Sequence, residues 1–173
     1  MDPRYPIGPH ETTPESSEAL RAEWVERIRR LPTDIENAVR DLTDSQLDTR
    51  YRDEGWTIRQ VVHHLADSHL NAYCRFRLTI TEDNPTIRPY DEVAWAELPD
   101  ASSAPIGPSL NLIRSLHDRW CRLLDTLELS AYERTLHHPE SGDLTLWGLL
   151  DTYQWHGRHH VAHVTMTRDR EGW

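Results

Sequence analysis

Four segments of the sequence repeat apolar residues three and four positions apart, the period of an α-helix that buries one face. These segments cover residues 17–42, 57–82, 108–127 and 145–168. Amphipathic helices of this length are stable when they bury their apolar faces against one another. The sequence therefore predicts an all-α four-helix bundle that forms one domain over residues 1–173.

Local signals indicate where two of these helices begin or break. Thr57 and Gln60 form a capping box at the start of the second segment. Pro32 interrupts the first segment, and Thr33 with Glu36 gives a fresh capping-box start directly after it. We therefore expect a kink in the first segment or two abutting helices.

The connections between the segments also constrain the topology. Residues 84–105 contain four prolines and are longer than the usual link between adjacent helices. This long crossover between the second and third helices predicts an up-down-down-up bundle. Residues 132–146 fit a small hairpin or a loop, and the proline-rich residues 1–14 are expected to be extended over the surface.

Composition excludes several classes of function. The formal net charge of −10 disfavours binding to nucleic acid. The two cysteines, Cys74 and Cys121, lack the CxxC spacing of a thiolate zinc site. The sequence has neither an apolar run of about 20 residues nor an apolar signal core at the N-terminus. We expect a cytoplasmic protein with no membrane association.

The fourth segment contains an unusual group of histidines, in "YQWHGRHHVAHV" at residues 153–164. On a helix, His156, His160 and His163 share one face with Leu149 and Tyr153, so this face points inward. An inward pair of histidines four residues apart is suited to binding one divalent ion. The pattern thus predicts two metal ligands on this helix.

A second histidine group, "VVHHLADSH", lies in the second segment and could supply a third ligand. His69 projects nearest the centre of the apolar stripe, whereas His64 falls on its flank with Gln60 and Ser68, and His63 is a further candidate for the third ligand. Periodicity favours His69, but an open metal site belongs near the rim of a bundle core, so His64 also remains a candidate. Three histidines and an open position would be the arrangement of catalytic zinc.

Two interpretations without catalysis compete with this one. The histidines could form a hydrogen-bonded core network that switches with pH and binds no metal. A metal could instead be held by a closed set of protein ligands in a non-catalytic stress or sensor module.

Residues 55–100 together with the histidine group at 153–164 resemble the DinB-like superfamily of metal-binding four-helix bundles. The similarity extends from Tyr5 to the C-terminal Gly172 and Trp173, nearly the whole chain, and is greatest to the YfiT-like group of metal-dependent hydrolases and bacillithiol S-transferases. It implies His64, His156 and His160 as the ligands of one divalent metal ion per chain, Zn²⁺ or Ni²⁺.

The resemblance further implies a divalent-metal-dependent enzyme, a hydrolase or a thiol S-transferase, that activates water or a thiol. The substrate would be a small molecule, which could include a low-molecular-weight thiol, and the protein would form a homodimer. His163 and Asp67 are the candidate catalytic residues, with His63 a further proton carrier. Four residues of the crossover could form a lid or a substrate wall: Arg88, Tyr90, Asp91 and Trp95.

Overall fold

The computed structural model describes residues 2–173 and consists mainly of helices. In chain order, the elements are α1 (Glu18–Ala38), α2 (Asp44–Leu47), α3 (Ile58–Thr81), α4 (Glu92–Ala96), α5 (Pro99–Ser102), α6 (Gly107–Leu124), a 3₁₀ helix (Leu129–Glu133), β1 (Thr135–His138), β2 (Gly142–Thr145) and α7 (Leu146–Glu171). The four long helices, α1, α3, α6 and α7, form the predicted bundle.

The directions of the four helices follow from the two apolar clusters of the core. One cluster joins the beginning of α1 and α7 to the end of α3 and α6, through Trp24, Leu149, Phe76 and Trp120. The other joins the opposite ends, through Ile35, Val164, Ile58 and Ile113. Helices α1 and α7 therefore run one way while α3 and α6 run the other, which confirms the up-down-down-up topology.

Each long helix packs against two of the others. Helix α1 contacts α6 and α7, and α3 contacts the same two helices from the other side. Neighbours α1 and α7 are consequently parallel, as are α3 and α6. Histidines of α3, α6 and α7 contact one another in the interior of the bundle.

Of the two outcomes expected at Pro32, a kink or two abutting helices, the second is wrong because one helix continues through the proline. Helix α1 begins after Ser17, whose side chain accepts a hydrogen bond from the amide of Leu20, and it continues through Pro32 to Ala38. Proline removes the bond that its own amide would give to the carbonyl four residues earlier, which is that of Ile28. That carbonyl oxygen lies 2.7 Å from Nδ1 of His117, so α6 compensates for the missing bond.

The capping box at the start of α3 is confirmed. The amide of Gln60 donates to the Thr57 hydroxyl at 3.1 Å, and the Thr57 amide donates to Oε1 of Gln60 at 3.0 Å. The side-chain nitrogen of Gln60 also donates to the carbonyl of Ala96 in α4 at 2.9 Å. The start of α3 is thereby fixed both locally and against the crossover.

The remaining connections hold the outside of the bundle together. Strands β1 and β2 form an antiparallel hairpin, and the amide of Ile87 in the crossover donates to the carbonyl of His137 at 3.0 Å. Residues 2–14 form no helix or strand, and they contact α7 through Tyr5, His10 and Thr13. There the amide of Thr13 donates to the carboxylate of Asp151 at 2.8 Å.

Within residues 2–173, no helix combines the length and the apolar composition that crossing a bilayer requires.

Candidate metal centre

Three histidines from two antiparallel helices meet between the apolar clusters. His64 lies near the start of α3, and His156 and His160 lie one turn apart near the middle of α7. One nitrogen from each ring falls within 4.8 Å of the other two. Of the three residues, His64 and His160 are buried and His156 has intermediate exposure, while both ring nitrogens of His156 face other histidines.

The spacing of these nitrogens suits a divalent metal. Nε2 of His64 and Nε2 of His156 lie 3.2 Å apart. In a tetrahedral zinc site with Zn–N bonds of about 2.0–2.1 Å, two ligand nitrogens are separated by about 3.3 Å. The rings of His64 and His160 are also close, with centroids 4.8 Å apart. The donor set of imidazole nitrogens fits zinc and nickel alike.

Burial keeps the three rings neutral. It lowers the pKa of His64 to about 4, chiefly because a buried imidazolium loses its hydration. Burial and the neighbouring imidazoles hold the pKa values of His156 and His160 well below the ordinary histidine value. At neutral pH each ring therefore offers a lone pair, the form in which histidine binds metal.

The second nitrogen of His156 faces a histidine that is not part of this group. Nδ1 of His156 lies 3.2 Å from Nε2 of His69, which is fully buried. Nδ1 of His69 in turn lies 3.0 Å from Nε2 of His117 in α6. The structure thus places His69 behind His156, and it places His64 beside the two histidines of α7.

His163 contacts His160 from the side opposite the three-histidine group. Its Nδ1 lies 3.3 Å from Nδ1 of His160, and its ring stacks on that of Tyr51 with centroids 4.0 Å apart. Burial lowers the pKa of His163 to about 4. His163 also lines a cavity of about 760 Å³ together with Tyr51, Arg52 and Arg170.

A second histidine group shares one ring with the first. Nitrogens of His159, His160 and His163 also lie within 4.8 Å of one another. The ring of His159 stacks on Trp155, and its buried Nδ1 has no hydrogen-bond partner among residues 2–173. The two groups therefore overlap at His160.

His63 and Asp67 lie away from both histidine groups. Nδ1 of His63 is 2.8 Å from the Ser109 hydroxyl, and its Nε2 is 3.2 Å from the carbonyl of Ala104. Asp67 lines a cavity of about 230 Å³ with His63 and Asp100. Burial, reinforced by Asp100, raises the pKa of Asp67 to about 6. Within the described chain its carboxylate makes no hydrogen bond to the three-histidine group.

The crossover residues named as a possible lid surround a separate depression. Arg88, Tyr90, Asp91 and Trp95 line a cavity of about 440 Å³ with Asn71 of α3. The rings of Tyr90 and Trp95 pack with centroids 4.4 Å apart. This cavity does not include any residue of the three-histidine group.

His117 is the site residue that the sequence analysis missed. It occupies the inner stripe of α6, in the series Ile113, His117, Trp120 and Leu124, and all four side chains are buried. These residues recur at spacings of four, three and four, which is the buried face of a helix. The signal was therefore present in the periodicity, although α6 has no further histidine to draw attention to it.

Comparison with known proteins places the chain in a family. The family model of the DinB superfamily matches residues 27–164. The chain belongs to the DinB superfamily. The DinB match begins in α1, ends in α7 and includes every histidine of both groups described above.

Relatives within this superfamily cover the whole chain. A protein from Bacillus mycoides (strain KBAB4) is 50% identical over 172 residues, which is 99% of each chain, and its printed name begins "Putative metal-dependent hydrolase". A similarly named protein from Oceanobacillus iheyensis is 50% identical over 100% of both chains.

A solved structure supports the fold. YfiT from Bacillus subtilis, described as "a probable metal-dependent hydrolase with an unusual four-helix bundle topology", superposes with a TM-score of 0.97. It is 46% identical in sequence, and the match covers 100% of this chain and 99% of YfiT. The predicted resemblance to the DinB-like superfamily and its YfiT-like bundle is confirmed.

Proposed function

We propose that this protein is a divalent-metal-dependent enzyme in which His64, His156 and His160 bind one Zn²⁺ or Ni²⁺ per chain. The observation that carries the proposal is the convergence of three neutral imidazoles, from two helices, with nitrogens within 4.8 Å of one another. The printed names of the relatives from Bacillus mycoides and Oceanobacillus iheyensis support metal-dependent hydrolysis as the reaction class.

The number of donors favours catalysis over a structural role. Structural zinc sites are closed by four protein ligands, whereas catalytic sites have three and an open position. Among residues 2–173, no fourth histidine, cysteine or carboxylate joins the group of His64, His156 and His160. His69 cannot be that fourth donor in this arrangement, because its Nε2 is bonded to His156.

An ion held there would supply Lewis-acid charge that lowers the pKa of a bound water toward about 7, or that holds a thiol as its thiolate. The protein supplies the orientation. The three imidazoles present lone pairs, and an ion held by only three protein ligands would keep one position open for a small substrate. Hydrolysis by activated water and transfer of a low-molecular-weight thiol are the two reactions that this arrangement supports.

We assign His163 a role in holding His160. An imidazole that binds a metal through one nitrogen carries its proton on the other. Since Nδ1 of His160 faces Nδ1 of His163, the nitrogen left for the metal is Nε2. His163 also borders the cavity of about 760 Å³, from which it could exchange protons with a substrate. Among residues 2–173, the carboxylate of Asp67 makes no hydrogen bond to the group, so we assign it no step.

The alternative is a non-catalytic metal-binding module. To separate the two, tag-free protein is loaded with zinc or nickel and assayed with esters, amides and a thiol plus an electrophile. We expect metal-dependent turnover of one substrate class, abolished by His64→Ala. Metal binding without turnover across the panel would favour the binding module, and absence of metal binding would contradict both.

A homodimer remains a prediction. The crossover exposes the apolar side chains of Val93 and Leu98, which are 63% and 51% exposed and which a dimer contact would cover. Sedimentation equilibrium of the full chain gives the oligomeric state directly.

A further inference from the structure

Histidines outside the proposed ligand set form an ordered series that ends at a backbone carbonyl. The series is Ile28 carbonyl, His117, His69 and His156, with successive separations of 2.7, 3.0 and 3.2 Å. His69 and His117 are almost completely buried, with exposed fractions of 0% and 1%. Buried imidazoles at such distances must be hydrogen-bonded with one donor and one acceptor in each pair.

The series begins where α1 lacks a hydrogen bond. The carbonyl of Ile28 would normally accept from the amide of residue 32, but that residue is proline and has no N–H. A carbonyl oxygen can only accept, so Nδ1 of His117, 2.7 Å away, must carry a proton and donate it. In the neutral ring, Nε2 of His117 then carries no proton and can only accept a hydrogen bond.

The direction of this first bond determines the next two. Because Nε2 of His117 accepts, Nδ1 of His69 must be the donor, and Nε2 of His69 is left bare. Nε2 of His69 then accepts from Nδ1 of His156. In the neutral ring of His156 the proton is therefore on Nδ1. Its Nε2 is a lone pair, directed at Nε2 of His64 across 3.2 Å.

We propose that His69 and His117 are positioning residues that fix the tautomer of His156, so that its Nε2 is held deprotonated toward the three-histidine group. The consequence for metal affinity rests on the proposed function, whereas the direction of the hydrogen bonds does not. Neither residue touches the ion or the substrate in this scheme. Through them, α6 and the Ile28 carbonyl of α1 act on a site whose ligands come from α3 and α7.

The alternative tautomer is disfavoured by burial. A proton on Nε2 of His156 would require His69 to donate to Nδ1 of His156 and His117 to donate to His69. The Ile28 carbonyl would then face a bare nitrogen, and a buried carbonyl without a donor costs about 1–3 kcal/mol. All three hydrogen bonds must reverse together. The Ile28 carbonyl therefore determines which nitrogen of His156 carries the proton, although His117 and His69 lie between them.

The direction of the bonds is tested in the metal-free protein. Long-range proton–nitrogen NMR of histidine-labelled protein reports which nitrogen of each ring carries the proton. We expect a proton on Nδ1 and none on Nε2 in His117, His69 and His156. A proton on Nε2 in any of these three rings overturns the proposal.

The effect on the site is tested by metal affinity, measured by chelator competition with zinc and with nickel. His117→Leu removes both hydrogen bonds and should weaken affinity about 10–100-fold, as loss of an orienting partner does. His117→Gln can still donate to the Ile28 carbonyl and accept from His69, so its affinity should stay close to that of the unaltered protein. Unchanged affinity in the leucine variant, or equal losses in both variants, overturns the proposal.

Phe76→Leu is the matched control. Phe76 is fully buried and packs edge-on against Trp120, but it takes no part in the hydrogen-bonded series. The Phe76→Leu variant should have a lower melting temperature and an unchanged metal affinity. A loss of affinity equal to that of His117→Leu would show a general packing effect and overturn the proposal.

The outcomes separate this proposal from the proposed function. If His117→Leu does not fold, the NMR result on the unaltered protein and the affinity of His117→Gln still decide the matter. If the unaltered protein binds neither zinc nor nickel, the proposed function fails, while the tautomers seen by NMR still support or contradict the hydrogen-bond direction.

Discussion

His117 supplies the hydrogen bond that Pro32 cannot make. Both residues act on the Ile28 carbonyl: Pro32 leaves it without an intrahelical donor, and Nδ1 of His117 lies 2.7 Å from its oxygen. A proline inside a helix is usually costly because this carbonyl loses its partner. Here the free carbonyl is the fixed end of a series of imidazoles that leads to the candidate metal centre.

Replacing Pro32 with alanine should stabilise α1 and weaken the metal site. The new amide of Pro32→Ala would compete with His117 for the Ile28 carbonyl, while removal of an interior helix proline gains up to about 3 kcal/mol. We expect a higher melting temperature of the metal-free protein together with a lower zinc affinity. Pro14→Ala, in the exposed N-terminal segment, is the control and should change neither. A gain in both quantities would contradict this relationship.

Removal of metal should destabilise the protein in a way that depends on the three ligands. A ligand at 100 times its dissociation constant stabilises the folded state by about 2.7 kcal/mol. Chelation should therefore lower the melting temperature of the unaltered protein, but not that of His64→Ala, His156→Ala or His160→Ala. His137→Ala, on the hairpin, is the control and should respond to chelation like the unaltered protein.

The buried histidines should make the metal-free protein sensitive to acid. Burial lowers the pKa of His117 from 6.5 to about 4, so the unfolded state binds its proton first as the pH falls. His117 therefore lowers the free energy of unfolding as the pH falls. This effect is small above a pH of about 6.5 and reaches about 2 kcal/mol at pH 5. Urea titrations between pH 8 and pH 5 should therefore show falling stability, with a shallower fall in His117→Gln. Equal slopes in the two proteins would argue against this assignment.

Asp67 should have the opposite dependence. Its pKa is raised from 3.8 to about 6, chiefly by burial, so the folded state holds a proton that the unfolded state has already lost. The ionised carboxylate of Asp67 destabilises the folded protein. This destabilisation grows as the pH rises from about 4 to about 6 and is complete above a pH of about 6. Asp67→Asn should raise the free energy of unfolding at pH 8, with a gain that disappears toward pH 4. Chemical denaturation at both pH values measures this difference.

Two glycines of α7 provide a test of how closely α1 approaches the site. A Cβ at Gly157 would lie 2.8 Å from Cδ2 of Leu31, whereas one at Gly148 would meet only Oγ1 of Thr145 at 3.5 Å. Overpacking costs about 1–3 kcal/mol, while alanine in an unhindered helix position gains about 0.5–1 kcal/mol. Thermal unfolding should show Gly157→Ala destabilised and Gly148→Ala stabilised. Because Gly157 follows His156, its variant should also lose metal affinity.

The features predicted from the sequence were those that local interactions determine. The capping box of Thr57 and Gln60 and the apolar periods gave the helices, because both depend on residues close in sequence. The behaviour of Pro32 was not predictable in this way, since its compensation comes from His117 on another helix.

The choice between His64 and His69 required the neighbouring helices as well. Periodicity alone favoured His69, but both residues are buried, and periodicity does not show which neighbouring helix each side chain faces. The distinction arises because α3 packs against two helices: His64 faces His156 and His160 of α7, whereas His69 also reaches His117 of α6. His117 itself was visible as an inner position of α6 but could be given a role only through these distances.

The division of the core into two apolar clusters has a consequence for how the molecule opens. The clusters lie on either side of the imidazoles, so each end of the bundle has its own hydrophobic contacts and the ends are joined through polar contacts. The four long helices run through both clusters, so cooperative unfolding of the ends depends on these continuous helices as well as on the hydrogen bonds between the imidazoles. Amide exchange in α1 and α7 would reveal whether the two halves open as one unit or separately.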